Sequence, residues 1–157
     1  MGNRGAATEG RPYNEPMIEV VSRQRRRKID CERWQVFGEK ALQAIGKAGH
    51  DATIAFVSDR QIRILNKRFR GLGKATDVLS FPAGDDEFAE TSHPSLGDIA
   101  ISVERAESQA VENGLTLEIE IAQLILHGLL HLCGYDHETD RGEMNRLELR
   151  LRRQMGI

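Results

Sequence analysis

From residue 17 onward the hydrophobic positions fall into alternating and helical runs separated by short polar breaks. "MIEVVS" (17–22) alternates and is β-branched, which predicts a strand. Over 31–47, Trp34, Phe37, Ala41, Ala44 and Ile45 recur at steps of three and four, the period of an amphipathic helix that stops near Gly46 or Gly49. "DATIAFV" (51–57) is a short apolar run suited to a buried strand. Ser58 or Asp59 then caps a helix carrying Ile62, Leu65 and Phe69 on helical steps and ending at "RGLG". "TDVLSFP" (76–82) and "GDIAISV" (97–103) predict two more strands, the first stopped by Pro82, which has no N–H to give a ladder. A helix over roughly 104–113 follows, then a long one from Thr116 to Cys133 that is apolar on nearly every side. Asp140 and Glu143 make a box-like start for a last helix whose buried stripe is Met144, Leu147, Leu151 and Met155. Four strands and five helices predict an α+β fold: one domain over 17–157, a small mixed sheet covered by helices. Residues 1–16 are rich in Gly, Pro and small polar types with little to bury, which predicts a disordered tail.

Composition changes this picture only in places. At 157 residues the chain is long enough for one self-sufficient core. Two distant cysteines, Cys31 and Cys133, make no disulfide framework, and neither a signal-peptide core nor an 18-residue apolar run is present. The expectation is a cytoplasmic protein with no membrane partner. A net charge of −2 gives no global attraction to nucleic acid, so any such binding depends on local patches. Two candidates are "RQRRRK" (23–28) and the last helix's Arg146, Arg150, Arg152 and Arg153, with the acidic "GDDEFAE" (84–90) between them. Either basic cluster alone is also what an ordinary solvated face looks like.

The long helix carries the sharpest chemistry. Glu120, Gln123, His127 and His131 share one of its faces, and polar groups inside a core need partners. His127 and His131 stand one turn apart, so both imidazoles can reach one zinc. Gly134 suits a left-handed turn that ends the helix, and His137 follows in position to swing back as third ligand. Three neutral imidazoles plus a water make a catalytic rather than a closed arrangement, one ion per chain. Nickel, copper or iron would suit the same ligands. Gly128, three residues before His131, is read as leaving room for substrate. His50 and His93 stand alone and are read as surface residues; Cys133 is read as core.

"HGLLHLCGYDH" (127–137) resembles the extended zinc motif of metzincin proteases in every histidine and in the glycine, but Gly128 stands where those enzymes carry a catalytic glutamate. Peptide hydrolysis by that route needs the carboxylate. Phosphodiester cleavage needs a metal and a cation on the developing charge, and Arg70 in "RFRGLGKATDVLSFP" is the candidate cation. "GLGK" lacks the spacing of a nucleotide phosphate loop. Three choices of base are compatible with the sequence: a metal hydroxide, an outer carboxylate such as Asp136, or none if the ribose hydroxyl attacks.

Taken together, "LNKRFR" (65–70), "TDVLSFP", "LGDIAIS" (96–102), "HGLLHLCGYDH" and "EMNRLE" (143–148) resemble the YbeY-type endoribonucleases, the bacterial rRNA maturation factors, over about 18–155. The resemblance implies a zinc-dependent endoribonuclease specific for single strands. It also implies work on ribosomal RNA, including the small-subunit 3′ end, and in ribosome quality control. Under it His127, His131 and His137 are the metal ligands and Arg70 a functional arginine, while Thr76, Asp77 and Ser80 fall at family-typical positions without derivable roles. "RQRRRK" and the long tail depart from the family pattern. A second reading, from another class, is a non-catalytic ribosome-assembly factor that holds RNA around a structural zinc. With aromatics at 5%, extensive base stacking is not the expected mode of RNA contact. Oligomeric state is not legible.

Overall fold

The computed structural model describes residues 17–73, 76–84 and 94–157. The tail over 1–16, His93 and nearly all of the acidic loop lie outside the described residues. Strands β1 (Ile18–Ser22), β2 (Asp51–Val57), β3 (Val78–Pro82) and β4 (Ser95–Ser102) form one sheet in the order β1-β2-β4-β3. β1 runs parallel to β2 and β2 parallel to β4, whereas β3 is antiparallel to β4. The α+β expectation of a mixed four-stranded sheet with five helices is what the chain adopts. Pro82 ends β3 at the sheet's edge, where a missing N–H costs no ladder bond.

The helices are α1 (Cys31–Ile45), α2 (Asp59–Arg70), α3 (Val103–Asn113), α4 (Leu117–Leu132) and α5 (Glu143–Met155). Four begin on side-chain caps: Asp30, Ser58, Ser102 and Thr116 accept from Arg33, Gln61, Arg105 and Ile119 backbone N–H groups. Each such cap contributes about 1 kcal/mol. The fifth departs from the box form. Gly142 occupies the cap position without a side chain, and Asp140 reaches past it, accepting from Gly142 N (2.8 Å) and Met144 N (2.9 Å), while Glu143 accepts from Arg141 N.

Alternation along the strands divides the sheet into two unequal faces. Ile18, Ile54, Phe56, Ile99 and Ile101 point toward α1 and α4, where Trp34, Leu42, Ile125, Leu126, Leu129 and Leu130 complete the main core. The opposite face holds a smaller cluster of Val57, Ile62, Leu79 and Ala100, packed among the described residues against α2. The main core thus makes α4 the central element, buried on most of its sides.

Gly128 reads differently in three dimensions. It is buried, and a Cβ added there would lie 2.9 Å from Ile99 Cδ1 and 3.1 Å from Ile99 Cγ2. Its bareness lets α4 close onto β4; it does not make room for substrate. The polar stripe on α4 is partnered at its start as well. The buried Glu120 accepts from Asn113 Nδ2 at 3.1 Å, and the Gln109 carboxamide, oriented with its nitrogen toward the carboxylates, bridges Glu120 Oε2 and Asp77 Oδ2 at 3.2 and 3.0 Å.

Candidate metal centre

His127 and His131 project from the last turns of α4. The helix ends at Cys133, and Gly134 takes φ +97°, a conformation that side-chain-bearing residues rarely adopt. Gly134 N then donates to His131 O, and Tyr135 N reaches back to Leu130 O at 3.1 Å. That reversal carries His137 back over the helix end. The three rings stand with centroids 4.7, 5.4 and 5.7 Å apart, and one donor atom from each lies within 4.8 Å of the others. His127 Nε2 and His131 Nε2 are 3.2 Å apart. Two nitrogens on a tetrahedral ion at about 2.0–2.1 Å are separated by about 3.3–3.4 Å, so the pair already spans one edge of such a site. The donor set therefore fits a divalent ion.

Protonation favours the same use. His127 Nδ1 lies 2.8 Å from Glu148 Oε1, and Arg152 Nη2 donates to Glu148 Oε2 at 2.7 Å. Burial pushes the Glu148 carboxyl up, but the His127 hydrogen bond and the charges of His127 and Arg152 outweigh it and hold it below the usual carboxylate range. An ionised carboxylate only accepts, so His127 directs an Nδ1 proton at Glu148, and Nε2 is the nitrogen turned toward His131. Burial pulls the His131 imidazole below its ordinary value, and the neighbouring His127 and His137 pull it further, so this ring is neutral at pH 7.

A family model described as "Endoribonuclease YbeY" matches residues 19–156. The chain belongs to that family. Among similar proteins, the endoribonuclease YbeY of Solibacter usitatus is 52% identical over 99 residues, 63% of this chain and 62% of that protein. That of Aquifex aeolicus is 43% identical over 119 residues, 76% and 77% of the two chains. That of Caldanaerobacter subterraneus is 35% identical over 157 residues, 89% of this chain and 99% of its own. The alignment to the Solibacter relative spans less than two thirds of that relative's length. A solution structure of TM1509 from Thermotoga maritima is similar at a TM-score of 0.57 and 28% identity, covering 85% of each chain.

In this YbeY-family chain the histidines open onto a cleft whose walls include Arg70, Thr76, Asp77, Ser80, Asp136 and Glu138. Arg70 is the last residue of α2 and is exposed, so its guanidinium belongs both to a helix end and to the cleft wall. Ser80 Oγ donates to Gly128 O at 3.4 Å, and Asp77 Oδ1 accepts from Val78 N and Thr76 Oγ1, which anchors the turn into β3. Asp136 Oδ1 accepts from Glu138 N, which ties the chain together on either side of His137. His50 is half-buried with its Nδ1 3.0 Å from Lys47 O, away from the cluster. Cys133 is half-buried, and burial raises its thiol pKa, which disfavours the thiolate a metal would need.

Sequence reasoning misses Glu148 and Arg152 as parts of this centre. It groups Arg152 with the outward cations of the last helix, and the i,i+4 pair Arg152 makes with Glu148 resembles any surface pair until α5 is laid against α4. The "RQRRRK" run is also less free than its charge suggests, since Arg26 and Arg27 both grip Glu107 on α3, at 2.6 and 2.7 Å. Those hydrogen bonds hold the Glu107 carboxyl below its ordinary range.

Proposed function

We propose that this chain is a metal-dependent endoribonuclease, holding one zinc ion on His127, His131 and His137 and cutting single-stranded RNA with Arg70 at the scissile phosphate. The observation that carries this reading is the convergence of three imidazole donors within 4.8 Å at one end of an open cleft that also contains an arginine. When bound, a divalent ion supplies Lewis acidity toward a phosphoryl oxygen. Glu148, braced by Arg152, fixes the ring and tautomer of His127. Burial keeps His131 unprotonated and able to donate its lone pair. Arg70 offers a permanently charged fork to the phosphate, gaining strength as charge develops there.

The cleft disfavours peptide hydrolysis of the metzincin type. Position 128 turns its Cβ direction onto Ile99 in the sheet, and the carboxylates on the cleft wall are Asp77, Asp136 and Glu138. The natural substrate in this proposal is ribosomal RNA, with the small ribosomal subunit as partner, the 3′ end of small-subunit rRNA among the sites processed, and a role in ribosome quality control. The place of action is the cytoplasm. The test is cleavage of a single-stranded RNA by the metal-replete protein beside Arg70→Ala and His131→Ala. Wild type is expected to cut at least about a hundredfold faster than either variant, about 2.7 kcal/mol of transition-state stabilisation. Equal rates would assign the chain to RNA holding without cleavage.

A further inference from the structure

The second face of the sheet holds a feature that metal chemistry does not use. α2 covers only part of that face, and between its C-terminal end and β1–β2 runs a groove of about 810 Å³. Its floor includes Thr53, Ala55 and Leu65. At its mouth stands Phe69, 59% exposed, the one aromatic among the large exposed hydrophobic side chains of the described residues. The ring leans edge-on against Phe81, centroids 5.2 Å apart at 64°, and the Arg68 guanidinium stands 5.6 Å from its centroid. Phe69 is thus held by Phe81 and flanked by Arg68, with more than half of its surface open.

Charge and continuity decide what such a ring is for. Residues 60–70 carry five cations and no acid. Arg23 and Arg70 line the groove, against the single carboxylate of Asp98. Arg70, Ser80 and Pro82 belong to the walls of both this groove and the histidine cleft, so the two form one path. A ligand that follows it must be anionic along its length and present flat apolar faces at intervals, which is the chemistry of an unpaired nucleic acid strand.

We propose that Phe69, seated on Phe81, is a base-stacking platform for the RNA strand leaving the metal centre, with Arg70 and Arg23 following its phosphates. This deepens, and rests on, the reading of the cleft as an RNA-cutting site. Only an unpaired base can present its face to Phe69, so the platform, rather than the metal, supplies preference for single strands. Few aromatics suffice because one is placed on the strand's path.

The test uses the metal-loaded full chain and a 12-nucleotide single-stranded RNA carrying 2-aminopurine, mixed in a stopped-flow cell so that binding is read before cleavage. Phe69→Ala is expected to weaken binding about 5- to 150-fold and abolish the stacking quench of 2-aminopurine. Phe69→Trp is expected to keep both. In cleavage assays the loss is expected in KM, with kcat nearly unchanged, and a duplex of the same sequence is expected to bind wild type and Phe69→Ala alike. If wild type binds and cuts RNA while Phe69→Ala matches it in affinity and quench, the platform is overturned alone, and the patch becomes a surface for a protein partner. If wild type neither binds nor cuts RNA, the reading of the cleft falls with it.

Discussion

At the scale of single residues, Glu148 shows how much of a candidate metal centre is built outside the three histidines. Its carboxylate fixes His127 at Nδ1 and is itself fixed by Arg152 one turn further along the helix. Such an outer partner is typically worth about 10- to 100-fold in metal affinity. Glu148→Gln is therefore expected to weaken zinc binding by about that factor while the far-ultraviolet circular dichroism stays unchanged. A competition titration against a chromophoric chelator measures it, and affinity equal to wild type would remove Glu148 from the centre. The three histidines are legible in the sequence because local rules fix them: one helical turn joins His127 to His131, and one left-handed glycine turns the chain toward His137. Glu148 is not legible, because nothing local distinguishes it from any other acid within a charged amphipathic helix. Its role arises only where α5 meets α4.

At the scale of elements, hydrophobic periodicity places every strand and helix among the described residues to within about two positions, since each period reports which side of an element is buried. What periodicity lacks is the partner. Gly128 belongs to the helix by period, and its meaning depends on Ile99 from β4 lying against it. Gly128→Ala gains about 1 kcal/mol in helix propensity but forces overpacking that costs about 1–3 kcal/mol, for a net loss on the order of 1 kcal/mol. Urea denaturation reads that loss, and Ile99→Val, which deletes the crowding Cδ1 but keeps both γ-carbons, is expected to relieve part of it in the double variant. A Gly128→Ala protein more stable than wild type would contradict the packing role.

At the scale of the whole molecule, the sheet separates two tasks. One face builds the core around α4 and so sets the rigidity of the histidine helix; the other, packed against α2, carries among the described residues a groove beside the same cleft. The net charge of −2 hides this arrangement, because cations concentrate on α2 while Glu107 engages Arg26 and Arg27 of the basic run. In the proposed function everything depends on one ion held by His127 and His131 from the helix and His137 from the segment after it. The most direct test is the metal content of the purified full-length chain, wild type beside His137→Ala, by elemental analysis after extensive dialysis. One divalent ion per chain in the wild type, lost in a folded His137→Ala variant, is the predicted result. A variant that keeps one ion per chain with wild-type affinity, or a wild type that takes up none, would contradict it.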